Sequence, residues 1–255
     1  MSMAKEIEHK TQRVLLFGAH AHELAPEVRS YPNLEIVDDH PDVVISYGGD
    51  GTLLAAELNW PGIPKVPILN SDRGHQCLAH PAGDVIAHLA VNTLVRQHYT
   101  KLECAIQRVD AEEPDCYVAA LNEINVHMQR INSAVRFKLW LNGEPQAGGQ
   151  DVLGDGFLIC TPFGSSAYFN KITRCVFWEG IGVAFNAANQ YTSHLVIPES
   201  TEVRVLITRG PALLAFDSSP QFFDLGEGDE LIVRKHARGA TLLTYGPVQQ
   251  PSMPF

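Results

Sequence analysis

At 255 residues the chain is long enough to bury a proper core in one large domain or two modest ones. Its 45% hydrophobic and 19% charged content excludes a disordered polypeptide, and its formal charge of −10 excludes a broad basic footprint for nucleic acid or anionic membrane. Any phosphate it binds must therefore meet local backbone amides and a few cations. Five cysteines are scattered without a C-x-x-C pair, as expected of reduced thiols in a cytoplasmic protein. The polar stretch Met1 to Arg13 does not read as a signal peptide, and no apolar run reaches the roughly 20 residues of a membrane span.

In chain order, Val14-Leu15-Leu16-Phe17-Gly18 is an apolar run closed by glycine, the pattern of a strand buried on both faces. A second run, Val43 to Tyr47, leads into Gly48-Gly49-Asp50-Gly51, and Thr52 to Leu58 then carries helix formers without a breaker. Lys65 to Asn70 repeats the strand pattern. From Asp84, read as an N-cap, Ile86, Leu89, Ala90 and Leu94 form a stripe at helical spacing. Residues 1–98 are thus expected to form a compact α/β domain.

The texture changes near residue 100. Tyr117 to Val126 reads as a strand, and Val135, Phe137, Leu139 and Leu141 alternate with Arg136, Lys138 and Trp140, the period of a half-buried strand. Asn142-Gly143 closes it with a hairpin signal. Glu202 to Ile207 and Glu230 to Arg234 continue the theme between prolines and glycines. Residues 99–240 are expected to form an antiparallel sheet domain, with 241–255 a tail that returns to the first domain.

Three constellations could carry chemistry. A turn with glycines at 48, 49 and 51 lets backbone amides approach a ligand, and the following helix adds its positive end, so Gly48 to Thr52 suits a phosphate. Asp50 is the odd member, because a carboxylate repels phosphate. It makes sense if it takes a proton from an attacking hydroxyl or holds a metal ion, and the alternative is a solvated aspartate in a tight turn. The second constellation, Leu121-Asn122-Glu123, puts two polar residues in an apolar run, where they would meet sugar hydroxyls or simply solvent. The third is Gly154-Asp155-Gly156, a buried strand Phe157 to Cys160, then Thr161-Pro162-Phe163-Gly164-Ser165-Ser166-Ala167-Tyr168. Short hydroxyl groups beside an aromatic suit a nucleoside, and a capped loop is the alternative.

In this order and spacing, the three motifs resemble those of the NAD kinase family. The resemblance runs from Val43 to about Leu243 and closes on Leu214-Ala215-Phe216-Asp217 and Gly228 to Val233. It implies an N-terminal Rossmann-like α/β domain, a C-terminal antiparallel β-sandwich, an active site between them, and a homodimer or homotetramer. The implied reaction transfers the γ-phosphoryl of ATP, or of polyphosphate, to the 2′-hydroxyl of the adenosine ribose of NAD. Asp50 would be the base, with Gly49, Gly51 and Thr52 around the phosphates. Asn122 and Glu123 would hold NAD hydroxyls or the adenine edge. Thr161, Ser166, Ala167 and Tyr168 would form the nucleoside pocket, and Asp155 would touch the far end of the dinucleotide. Mg2+ would arrive with ATP.

Three segments depart from the family pattern. Members follow the third strand with Asn-x-Gly-x-x-Gly-Phe-Leu, whereas Asn70 to Leu78 is one residue longer and has Gln76 and Cys77 where an aromatic would face the ligand. Phe169 to Cys175 replaces a Ser-x-Gly-Gly turn, and Asp217-Ser218 stands for the more usual Asp-Gly or Asp-His. Arg73, Lys171 and Arg174 fall near these departures and would supply cations or remain solvated. The altered segments leave open a relative that phosphorylates another hydroxyl, on a nucleoside or lipid, or a non-catalytic dinucleotide-binding protein. His20-x-His22-Glu23 has no strong metal spacing and reads as loop.

Overall fold

The computed structural model describes residues 11–72, 74–189 and 192–246, in two compact units. Of these residues, one unit takes 11–98 and 241–246, and the other takes 99–240.

In the first unit the strands are β1 (Gln12–Phe17), β2 (Leu34–Ile36), β3 (Val43–Gly48), β4 (Lys65–Leu69) and β5 (Val95–Tyr99). The helices are α1 (Ala25–Arg29), α2 (Asp50–Asn59) and α3 (Ala82–Ala90). The late strand Ala240–Thr244 enters the same sheet, whose order is β2-β1-β3-β4, then this strand, then β5. β1 pairs in parallel with both β2 and β3, and β3 with β4. The runs that read as doubly buried are so: Val14, Val43, Val44, Ile45, Val66 and Ile68 are fully buried. A parallel sheet covered on both faces requires continuous apolar runs of this kind. α3 begins earlier than the sequence suggested. Pro81 occupies the N-cap and Asp84 lies in the first turn, because proline's fixed φ suits a helix start. Its stripe of Val85, Ile86, Leu89 and Ala90 packs into the core beside Val14, Ile45 and Leu243. Inside the sheet's other covering layer, fully buried Lys65 on β4 pairs with Glu57 of α2 and donates to the Trp60 carbonyl at 2.5 Å. That buried pair ties α2 to the strand beside it, and losing one partner would leave the other charge uncompensated.

The second unit holds β6 (Leu102–Gln107), β7 (Cys116–Ala120), β8 (Glu123–Met128), β9 (Val135–Leu141) and β10 (Glu144–Pro145). It continues with β11 (Val152–Gly154), β12 (Gly156–Cys160), α4 (Tyr168–Thr173), β13 (Ile181–Asn186) and β14 (His194–Ile197). Its last strands are β15 (Val203–Arg209), β16 (Ala212–Phe216), β17 (Phe222–Leu225) and β18 (Glu230–Lys235). Two antiparallel sheets result, ordered β10-β9-β15-β18-β6-β7, with β11 also on β9, and β14-β13-β12-β8-β16-β17. Phe137 of β9 meets Phe157 of β12 with ring centroids 4.6 Å apart, which joins the two inner faces. The β9–β10 hairpin turns at Asn142 (φ 50°) and Gly143 (φ 83°), the left-handed pair that a tight hairpin demands. The expected single strand Tyr117 to Val126 is instead two. β7 belongs to one sheet and β8 to the other, and the chain crosses between them at Leu121-Asn122. The sequence does not mark such a crossing, since both strands are half-buried and alternate in the same way.

Among the described residues, no helix is long and apolar enough to cross a membrane.

Candidate active site

In the first unit, β3 ends at Gly48 and α2 begins at Asp50, so the aspartate occupies the first helical position. Gly49 caps the helix in an extended conformation (φ −103°), and its carbonyl accepts from the amides of Thr52 (2.9 Å) and Leu53 (3.2 Å). None of the glycines in this turn adopts a left-handed φ. Gly48 is needed for space: a Cβ there would lie 2.3 Å from Thr52 Oγ1 and 2.9 Å from its Cβ. Thr52 thus folds back over Gly48 from the first turn of α2, where helix amides and dipole favour an anion.

The Asp50 carboxylate is engaged. The His75 amide donates to Oδ1 at 3.1 Å and to Oδ2 at 2.9 Å, and the Gln76 amide donates to Oδ1 at 2.9 Å. The Cys77 thiol donates to Oδ1 at 3.6 Å. Burial, then the Asp50 charge, push the Cys77 thiol up to about 12, so it is a protonated donor at neutral pH. Gln76 and Cys77, expected to stand in for a ligand-facing aromatic, instead turn toward Asp50. Arg73 lies outside the described residues.

In the second unit, the second and third motifs come together. At the crossing between the sheets, Asp217 accepts from three successive amides: Leu121 at 2.7 Å, Asn122 at 2.7 Å and Glu123 at 3.2 Å. Its own amide donates to the Glu123 carbonyl at 3.1 Å. Asp217 sits at φ 45°, a left-handed conformation that a short polar side chain tolerates better than most. The Thr161 amide donates to the Asn122 carbonyl (2.9 Å) and its hydroxyl to that of Leu121 (2.6 Å), while Oγ1 accepts from Gly164 (3.1 Å). Thr161 is fully buried, and these bonds occupy its hydroxyl in structure. Gly164 lies so close that a Cβ would approach the Asn122 backbone to 2.4–2.7 Å.

The same crossing leaves polar atoms in want of a partner. Asn122 is 8% exposed, and neither its Oδ1 nor Glu123 Oε2 has a hydrogen-bond partner among the described residues, although both are withdrawn from solvent. Burial, then the Asp217 charge, push the Glu123 carboxyl up to about 8. Burial also raises Asp217, to about 6, against its three amide donors and the nearby Lys101, which favour the charged form. At neutral pH Asp217 therefore carries the charge and Glu123 the proton. Unsatisfied buried acceptors beside a neutral carboxylic acid are costly unless a ligand completes them.

Beyond Thr161, Phe163–Ser166 form a single 3-10 turn and α4 follows from Tyr168. Tyr168 and Lys171 line a cavity of about 510 Å³ with Asn186, Ala188 and Ser193. Ser166 ends the 3-10 turn and Ala167 is the N-cap of α4. Lys171 is exposed on α4, and Arg174 terminates that helix at φ 61°. Asp155 stands at the opposite end of β12 from Thr161, about 20 Å away at a strand's rise per residue. It is not part of the cluster at Asn122. Sequence reasoning missed Asp217 as the organiser of that cluster, and its distance of some hundred positions from Leu121 offers no spacing cue. His20 pairs with Glu23 at 3.1 Å beside an open depression at the ends of β1 and β4.

No protein-family model matches the chain. Among curated relatives, it is 34% identical over 147 residues to an NAD kinase of Acidobacterium capsulatum, an alignment covering 56% of this chain and half of that one. It is 31% identical over 212 residues to an NAD kinase of Gemmatimonas aurantiaca, covering 78% of this chain and 71% of the relative. A solved structure of yeast NADH kinase complexed with NADH superposes with a TM-score of 0.82 at 17% identity, covering 94% of this chain and 85% of that one. An NAD kinase from Archaeoglobus fulgidus in complex with ATP superposes with a TM-score of 0.71 at 18% identity, covering 92% and 94%. At these identities the two structures establish the shared fold.

Proposed function

The chain belongs to the NAD kinase family, and from that premise we propose that it transfers the γ-phosphoryl of ATP to the 2′-hydroxyl of the adenosine ribose of NAD, giving NADP and ADP. The observation that carries this reading is Asp50, a carboxylate held by its own chain at the first turn of a helix. It supplies a base where helix amides favour phosphate oxygens.

In the step proposed, Asp50 takes the proton of the ribose hydroxyl as that oxygen bonds to the γ-phosphorus. The bond from the γ-phosphorus to the β,γ-bridging oxygen breaks, and ADP leaves. Gly49, Gly51 and Thr52 line the path of the phosphates. Asn122 and Glu123 hold dinucleotide hydroxyls: Asn122 Oδ1 accepts, and neutral Glu123 donates, which would satisfy the atoms orphaned in the free chain. Tyr168 and Lys171 line the cavity that would take the rest of the acceptor. Magnesium would enter with ATP as part of the nucleotide substrate. Among the described residues no group of three His, Cys, Asp or Glu converges as a cage, and a magnesium ion held mainly by phosphates and water needs none.

Support for ATP as donor comes from the ATP-bound relative of the same fold, and for a nicotinamide dinucleotide from the NADH-bound one. Incubation with ATP, magnesium and NAD is expected to yield NADP. Asp50→Asn should lower the rate by about 10²–10⁴, the usual worth of a positioned base, with the melting temperature retained. Wild-type protein that binds NAD but forms no NADP would overturn the reading. One observation favours a second acceptor class: exposed Lys171 in the Tyr168 cavity suits an anionic group near the accepting hydroxyl. Consumption of ATP with a phosphorylated nucleoside or lipid headgroup, but not with NAD, would select it.

A further inference from the structure

The Asp50 carboxylate is not evenly solvated, and the unevenness has a source. Beyond β4 the chain leaves at Asn70, whose amide donates to the Gly48 carbonyl at 2.9 Å, and returns at Leu78. The Leu78 amide donates to the Pro67 carbonyl at 2.7 Å, and its carbonyl accepts from Leu69 at 2.9 Å. The loop is therefore pinned at both ends beside the β3–α2 turn. Its returning limb, Gly74 to Cys77, passes directly over Asp50. Gly74 permits this approach: a Cβ there would come within 2.5 Å of Leu69 Cδ1 and 3.5 Å of Asp50 Oδ1.

The donors are shared unequally. Among the described residues, Oδ1 receives the His75 amide, the Gln76 amide and the Cys77 thiol, whereas Oδ2 receives the His75 amide alone. A carboxylate oxygen offers about two lone-pair sites, so Oδ1 is saturated and Oδ2 keeps one open. Cys77 is the side-chain donor of the three, and its thiol stays protonated for the reasons given above.

We propose that Cys77, acting with the His75 and Gln76 amides, is a positioning residue that occupies Oδ1 and so fixes the plane of Asp50, leaving Oδ2 as the oxygen that takes the proton of the acceptor hydroxyl. The proton passes to Oδ2 as the hydroxyl oxygen bonds to phosphorus and the bond to ADP breaks. No other reactant is needed.

The proposal rests on the phosphotransfer reading, so its test has one arm inside that reading and one outside it. Cys77→Ala is expected to lower kcat for NADP formation between about threefold and tenfold, the loss of one weak donor to a charged acceptor, with KM for NAD within about twofold. Cys77→Ser, which restores an O–H donor, should recover most of kcat. Equal rates in all three proteins, or an Ala loss that Ser does not recover, would overturn it. The second arm needs no turnover. Iodoacetamide alkylation of Cys77, read by mass spectrometry of its peptide, should run several-fold faster in Asp50→Asn than in wild type at pH 8, because the neighbouring charge that adds to burial in holding the thiol protonated is gone. An unchanged rate would overturn the contact itself. Faster alkylation in a protein that makes no NADP would leave the contact standing and count against the phosphotransfer reading alone.

Discussion

At the scale of residues, the setting of each carboxyl decides what it can do. Asp50, Glu123 and Asp217 have the same functional group in three settings. Asp50 is clasped by donors from its own unit, Asp217 by three amides, and Glu123 by none that reaches Oε2. The shift of Glu123 from an ordinary 4.5 to about 8 sets a sign for stability against pH. Below the unfolded value both states are protonated and the contribution is fully present. As pH rises toward 8 the unfolded chain ionises while the folded one resists, so stability falls across that window. Asp217, raised from 3.8 to about 6, adds to the decline at its lower end. Thermal melts at pH 5 and pH 8 should show the drop, and Glu123→Gln should remove much of it. An identical drop in the variant would place its origin elsewhere.

At the scale of elements, the crossing from β7 to β8 places more of the candidate residues than any one strand does. Asp217 replaces three separate capping groups at the β7–β8 junction. Asp217→Ala would strand those amides and is expected to cost about 3 kcal/mol of stability, as charged hydrogen bonds of this kind do, while raising KM for NAD more than it lowers kcat. Denaturant melts and steady-state kinetics on one preparation would separate the two effects. Gly164→Ala drives a methyl into the Asn122 backbone and is expected to cost about 1–3 kcal/mol while weakening dinucleotide binding. Much of this level was legible in the sequence. The parallel strands announced themselves as continuous apolar runs, β9 by its alternation, its hairpin by Asn142-Gly143. The β7–β8 break did not, because a half-buried strand leaving one sheet and another entering the next continue the same alternation. Asp50, Asn122 and Glu123 stood out as polar residues in apolar surroundings. Their organisers, Cys77 and Asp217, act through contacts between residues 27 and 96 positions apart, which no local pattern encodes.

At the scale of the whole molecule, a net charge of −10 means that the proposed anionic substrates would be met by fixed dipoles and a few cations rather than by a basic field. The parallel-sheet unit offers the helix end with its base, and the antiparallel unit offers the polar crossing and the cavity beside Tyr168. In the proposed reaction, altered segment 70–78 bears on the base through its contacts with Asp50, and segment 169–175 bears on the acceptor through the cavity at Tyr168 and Lys171. The most direct measurement follows where the γ-phosphoryl goes. In a 31P NMR time course with ATP, magnesium and NAD, the γ-phosphate signal should decline as ADP and a 2′-phosphate monoester of the dinucleotide grow in equal amounts, and Asp50→Asn should show neither. Loss of the γ-phosphate to inorganic phosphate alone, or a time course with no change while NAD is bound, would contradict the account.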